Sequence, residues 1–344
     1  MTAERAETYL NTRVAILRAR LLPDAELEAL IDRPLDDSLK DRLGAVLLDP
    51  ELDTAAIERT LMHALLTDLA VILRPLTGAS RSFFTFWARR FELFNLKALI
   101  RGKLRNLPEG EIERHLQDMP SFTVLDHENL LRTESVAELL RQIEAGPYGD
   151  IARQARQVLE EKQDTLAVEA AIDQRYYDGL VQRIRMLSQH DMEPLHALLG
   201  AQVDMLNLTW LVRYRFAYHL SPTETYYYLL HHGAQLGRDT LLQLVELEQC
   251  DEVMSALPPA LRQRLSGARN PLDVERRMED LVRERARAAA RFSLSVLTRA
   301  FAYLLLRECE LNRLRAIVHG KRLGLSPGLV HSAVGNGASG EELH

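Results

Sequence analysis

Apolar residues return every three or four positions along almost the whole sequence, and runs alternating apolar with polar are missing. That period belongs to helix faces, and abundant Ala, Leu, Arg and Glu add propensity to pattern, so the expected fold class is all-α. Leu93, Leu96, Leu99 and Ile100 show the spacing as a single stripe, with Lys97, Arg101 and Lys103 beside or opposite it. Breakers punctuate the pattern at matching places: Leu107-Pro108, Leu220-Ser221-Pro222 and Leu325-Ser326-Pro327. Proline there ends one helix or occupies the first turn of the next, so each is read as a boundary between units.

A helical phrase precedes each boundary. Glu92 to Lys103 is matched by Glu310 to Lys321, 218 positions on, with Glu, Leu, Leu, Ala, Gly and Lys in register. Asp204-Met205-Leu206-Asn207-Leu208 matches the start of the first phrase at an offset of 112. Weaker echoes extend the likeness: Leu130 to Leu140, Leu247 to Val253, and Leu30-Ile31 followed by Ser38-Leu39. The pattern predicts three similar helical-bundle domains, 1–106, 107–220 and 221–330, with a polar tail over 331–344 that is expected to fray. So long a repeat is not that of two- or three-helix solenoid arrays.

Composition narrows the class. With 47% apolar and 27% charged residues over 344 positions, the chain has ample material for a core. Its net charge of -6, with Arg interspersed among Glu and Asp, does not favour nucleic acid or an anionic bilayer as partner. Cys250 and Cys309 fit neither zinc spacing nor a disulfide framework and read as reduced thiols. The polar start resembles no signal peptide. The longest apolar runs, Leu61–Leu73 and Ser293–Leu306, are interrupted by His63 and Asp68 and by Arg299, so no direct membrane span is expected.

Candidate chemistry is sparse. Asn95, Asn207 and Asn312 sit inside predicted helices, where asparagine is costly, each near an acid: Glu92, Asp204 and Glu308. The third is displaced by one position when Leu314 is aligned on Leu96. Either these polar residues fix the fold of each unit through helix–helix hydrogen bonds, or they make contacts where units or partners meet. With Lys97, Arg101, Arg213, Arg315 and Lys321 they form the set of structural or interface candidates. Glu193-Pro194-Leu195-His196 has a di-iron spacing but lacks the second motif such bundles need. Asp36-Asp37-Ser38-Leu39-Lys40-Asp41 has the look of a magnesium-holding aspartate motif, but reads better as a capped, solvated helix start. His231-His232 are adjacent, so a helix would point them apart. The Arg-dense stretch Arg276 to Arg299, mixed with acids, reads as a solvated helix face or as a contact for an acidic partner. No phosphate loop or nucleophile motif appears, and no catalytic residue, cofactor or metal site is expected.

The three acid-x-x-Asn-Leu-like phrases, with Leu306 to Leu325 closing the chain, resemble the C subunit of archaeal and bacterial A/V-type ATPases, the counterpart of the d subunit of the eukaryotic vacuolar enzyme. Tyr9 to Val14 with Leu21-Leu22, Leu131 to Leu140, Gly146-Pro147-Tyr148-Gly149 and Tyr176-Tyr177 extend the resemblance over about 5–330. Thr209 in place of Lys97, and Arg213-Tyr214-Arg215 in place of Arg101-Gly102-Lys103, depart from it. The resemblance implies a funnel of three domains about a pseudo-threefold axis. It also implies a non-catalytic rotor subunit at the cytoplasmic face of a membrane, whose partners are the central-shaft subunits and the membrane rotor ring. Polar residues near unit ends are expected to face those partners. The alternatives are a stand-alone all-α adaptor and a helical enzyme using Asp36, Asp37 and Asp41 with magnesium.

Overall fold

The structure is a computed structural model that describes residues 3–33, 54–117, 122–268 and 270–334. Asp36, Asp37, Asp41, the Ser38-Leu39 echo and the tail from Gly335 lie outside the described residues. Every element among those described is helical. In chain order they are α1 (Ala3–Ala19), α2 (Asp24–Asp32), α3 (Thr54–Leu73), α4 (Gly78–Leu104), α5 (Glu109–Glu113) and α6 (His127–Leu131). Next come α7 (Val136–Ile143), α8 (Gly149–Lys162), α9 (Thr165–Arg185) and α10 (Gln189–Val212), which runs into a π-turn at Arg213–Ala217. The rest are α11 (Pro222–Tyr228), α12 (Arg238–Val245), α13 (Cys250–Ala256), α14 (Pro259–Leu265), α15 (Pro271–Phe292), α16 (Val296–Arg322) and α17 (Pro327–Val334). Among the described residues no helix is long and apolar enough to cross a membrane.

Two compact units emerge, Met1–Leu76 with Glu279–His344, and Thr77–Met278. In the first, α16 packs against α1, α2, α3 and α17. In the second, α9 packs against α4, α8, α10 and α11. The three phrases lie near the C-terminal ends of α4, α10 and α16. These helices bury residues on nearly every side: α4 encloses Phe83, Phe84, Trp87, Leu93, Leu96 and Leu99, and α16 encloses Phe301, Tyr303, Leu311, Leu314 and Ile317. A helix apolar all round is a core helix, and any polar side chain it carries must find its partners within the protein.

The surrounding helices obey the amphipathic rule instead. On α15, Val274, Met278, Val282, Ala286 and Ala290 recur every four residues and are buried. Its Arg-rich remainder carries pairs three apart, Arg276 with Asp273 and Arg283 with Asp280. Local caps start several helices: Ser135 accepts from the Glu138 N–H, Asp164 from Leu166 and Ala167, and Ser221 shares a reciprocal box with Glu224.

Candidate functional site

The polar residues of the repeated phrases hold other segments of the chain, those that follow them in the first two copies and the N-terminal segment in the third. In the first copy, Glu92 is 1% exposed. Its Oε1 accepts the N–H groups of Val124 and Leu125 at 2.5 Å each, and its Oε2 accepts the Tyr148 hydroxyl. Burial and the neighbouring carboxylate push the Tyr148 phenol far above its ordinary range, so it remains a donor. Asn95 pairs both ways with one residue: Nδ2 donates to the Gln117 carbonyl at 2.7 Å, and Oδ1 accepts the Gln117 N–H at 2.8 Å. Lys103 Nζ completes the set by donating to the carbonyls of Leu131 (2.7 Å) and Thr133 (2.5 Å), at the end of α6. A cation there also meets the negative end of the helix dipole. Burial holds the Lys103 ammonium below its usual pKa.

The second copy repeats this chemistry. Asp204 accepts the N–H groups of Gln235 at 2.9 Å and Leu236 at 2.9 Å. Asn207 donates to the Leu230 carbonyl at 2.9 Å and accepts its N–H at 2.7 Å. Arg215, standing where Lys103 stood, donates to the carbonyls of Val245 (2.8 Å) and Leu247 (3.2 Å) at the end of α12.

In the third copy the partners come from the other end of the chain. Glu310 accepts the Leu22 N–H at 2.5 Å through Oε1 and pairs with Arg307 through Oε2. Lys321 donates to the carbonyls of Ile31 (2.8 Å) and Arg33 (2.7 Å), at the end of α2. The residue in register with Asn95 is Arg313, which is buried and donates to Asp24 Oδ1 at 2.7 Å. Thus the N-terminal segment 22–33 serves α16 as residues 124–133 serve α4.

The phrase endings explain the departures in the second copy. A Cβ on Gly102 would lie 2.5 Å from Ile112, and one on Gly320 would lie 2.6 Å from Val330, so α5 and α17 cross directly over these glycines. The second copy has the buried bulk of Tyr214 there, and its helix widens into the π-turn. The closing hydrogen bonds record the extra residue: Leu107 N–H reaches Gly102 O and Leu325 reaches Gly320 O, five positions back, whereas Leu220 reaches Tyr214 O, six back. The left-handed residue before each is Asn106, Gly324 or His219.

The basic candidates form lateral ion pairs. Lys97 meets Asp173 at 2.8 Å, and Arg101 meets Glu169 at 3.0 Å, across the α4–α9 packing. Burial raises the Glu169 carboxyl despite the pull of Arg101 and Lys97. Arg213 stands 3.6 Å from Glu275, and Arg315 stands 2.7 Å from Glu58. Two candidates lie outside this scheme. Asn312 is exposed and accepts only a local bond from Arg315 at 3.2 Å, and Glu308 is half-buried two positions before the acid that takes the Leu22 N–H. Their places belong to Arg313 and Glu310. Lys103, Arg215, Glu310, Arg313 and Tyr148 were absent from the candidate set. Four of them could have been found by following the offsets of 112 and 218 strictly, instead of following the asparagines. Tyr148 carried no such signal.

These carboxylates are engaged with backbone and side-chain donors. Among the described residues no three His, Cys, Asp or Glu side chains are placed to share a metal ion. His232 Nε2 donates to Asp178 Oδ1 at 2.7 Å, a bond that holds the Asp178 carboxyl below its ordinary pKa, and His231 is held below its usual pKa by burial. What the arrangement does is structural: each phrase ties a core helix to a loop and a helix end through hydrogen bonds that span more than twenty residues.

Sequence comparison places the chain among known proteins. The profile of the family described as "ATP synthase (C/AC39) subunit" matches residues 10–332. The chain belongs to this family. Among its relatives is the A-type ATP synthase C subunit of Methanothermobacter thermautotrophicus, 27% identical over 324 residues that cover 91% of this chain and 83% of that one. The V-type ATP synthase C subunit of Thermus thermophilus is 26% identical over 332 residues, covering 95% of this chain and 97% of the other. The A-type counterpart from Methanosarcina mazei is 22% identical over 338 residues, 94% and 91% of the two chains.

Proposed function

We propose that this chain is a non-catalytic rotor subunit of a rotary A/V-type ATPase, coupling the central shaft of the nucleotide-hydrolysing sector to the membrane rotor ring. The observation that carries the reading is the family match across residues 10–332, joined by relatives named as C subunits of ATP synthases that align over nearly their whole length. The chemistry of the phrases supports it. Their polar groups are used inside the protein to stiffen core helices, which suits a part that must carry load rather than turn over a reactant. On this reading three bundles, each closed by one set of these hydrogen bonds, stand about a pseudo-threefold axis, the third completed by the N-terminal segment. The protein sits peripherally at the cytoplasmic face of its membrane, and polar residues near the unit ends meet shaft and ring.

The test is reconstitution. A complex lacking this chain should hydrolyse ATP without pumping ions, and adding the chain back should restore pumping in proportion to its occupancy. Pumping that is unchanged by its removal, or a gentle pull-down of the tagged chain that brings neither shaft nor ring proteins, would defeat the proposal.

A further inference from the structure

Within the unit formed by Met1–Leu76 and Glu279–His344 lies a cavity of about 500 Å³, walled by the end of α1, the start of α2, α15 and α16. That volume falls in the ~300–1,000 Å³ range of small-ligand sites. Its lining is rich in arginine. Arg283, Arg287 and Arg291 follow one another at single-turn intervals on α15, Arg18 faces from α1 and Arg313 from α16. Asp24 and Glu310 are the carboxylates among the lining residues.

Both carboxylates are already engaged, and they are fewer than the arginines. Glu310 is taken up by the Leu22 N–H and by Arg307. Asp24 is shared between two guanidinium groups, Arg287 Nη2 at 2.7 Å from both oxygens and Arg313 Nη1 at 2.7 Å. Although burial works to raise the Asp24 carboxyl, those two arginines hold it below its ordinary range. Arg283 pairs with Asp280, Arg18 donates to the Ala290 carbonyl, and Arg291 lies over the Phe292 ring. Among the lining residues themselves five arginines stand against two carboxylates, in a chain of net charge -6, while outside the lining Asp280 pairs with Arg283, and Arg307 pairs with Asp68 as well as with Glu310. Hydrogen bonding is also incomplete. Arg313 is 7% exposed, and its Nε and Nη2, like the Nε of Arg283, are enclosed with no hydrogen-bond partner. Unpaired buried donors on a charged group are costly, and a fixed cation in a low-dielectric wall projects its charge into the space it borders. In the other two copies the position of Arg313 is a neutral asparagine whose amide is completed by backbone, so this feature belongs to the third copy alone.

We propose that this cavity binds a multivalent oxyanion of the phosphate class, held by the Arg283–Arg287–Arg291 row and by Arg18, with Arg313 behind it. Guanidinium forks match phosphate oxygens in shape and charge, and a row at one-turn spacing suits linked phosphoryl groups better than a single carboxylate. The ligand is either a free phosphate or diphosphate, or the phosphoryl tail of a nucleotide. This inference concerns the isolated chain and does not depend on its assembly into a larger machine.

Isothermal titration of the full chain with diphosphate and with ATP, both without magnesium and at constant ionic strength, tests it. The expected result is saturable one-site binding that weakens with salt. Arg287→Gln and Arg18→Gln, both on exposed helix surfaces, should each weaken it by about tenfold or more. Arg285→Gln, on the same helix but outside the lining, should leave it within about twofold. Equal affinities for the two ligands would assign the site to phosphoryl groups alone, and markedly tighter ATP would assign it to a nucleotide. No saturable binding of either at millimolar concentration, or an equal loss in Arg285→Gln, would overturn the proposal.

Discussion

The first and third copies of the repeated phrase do the same work with different means. In the Thr77–Met278 unit, Glu92 and Asn95 close onto segments that follow within about thirty residues, and the asparagine amide is satisfied by one backbone position. In the other unit, Glu310 and Lys321 close onto residues 22–33, almost three hundred positions earlier, and an arginine–aspartate pair replaces the asparagine. The lesson is that the geometry common to both is a carboxylate on unpaired backbone and a cation on a helix end. Whether the chain reaches that geometry forward or backward is immaterial to the hydrogen bonds. It matters greatly to folding, because closing a loop of that length costs conformational entropy before any contact forms.

The comparison breaks most visibly at the acids. Glu92→Ala would strand the Leu125 N–H and the Tyr148 hydroxyl in the interior and free the partly buried Val124 N–H, a loss of about 3–5 kcal/mol. Glu310→Ala strands the Leu22 N–H but leaves Arg307 paired with Asp68, and is expected to cost less, about 1–3 kcal/mol. Urea unfolding of the two variants measures both. A loss below about 1 kcal/mol for either would mean that water replaces the carboxylate there.

A smaller effect is expected at the crossing glycines. Gly102→Ala and Gly320→Ala drive a methyl into Ile112 and Val330 respectively, each for about 1–3 kcal/mol of overpacking. Gly102→Ala should be the worse, since three Ile112 atoms lie within 3.2 Å of the new carbon, against one Val330 atom at 2.6 Å and others at 3.4 Å or more. Thermal melts would rank them, and the reverse order would show that Ile112 swings aside more readily than Val330.

The smallest difference is in pH dependence. Asp24 is ionised more readily in the folded protein than its ordinary value of 3.8 allows, so its contribution is complete above that value and disappears as pH falls through the lower folded value. The stability gap between wild type and Asp24→Asn should therefore stay level near neutrality and shrink below about pH 4, by roughly 1 kcal/mol or less given its partial exposure. Asn95→Ala, which removes no titrating group, should show a gap independent of pH over that range. Parallel acid titrations followed by circular dichroism would reveal it.

Much of this was legible before any coordinates. The period of apolar residues gives helices because a helix has only one way to bury a stripe, and Pro108, Pro222 and Pro327 stand at the start of the next helix because they cannot continue a hydrogen-bond ladder. The repeat of Glu92 in Glu310 and of Lys103 in Lys321 was visible at a constant offset, and so was the glycine between them. The Arg-dense stretch from Arg276 to Arg299 is helical with pairs three residues apart, as its spacing suggested, but it is divided between α15 and α16, and its pairs Arg276–Asp273 and Arg283–Asp280 are half-buried. Asn312 drew attention for its side-chain type, yet one residue along a helix is a rotation of about 100°, enough to turn a core position into an exposed one.

Local pattern thus decides which segments are helices and which positions on them are apolar, because those depend on neighbours three and four residues away. It does not decide where a buried polar group finds its partner. That Arg313 meets Asp24, that Leu22 completes Glu310, and that five arginines converge on one cavity depend on segments nearly the full chain apart. Only the packing of helices in space, driven by burial of their apolar faces, brings those charges and donors together.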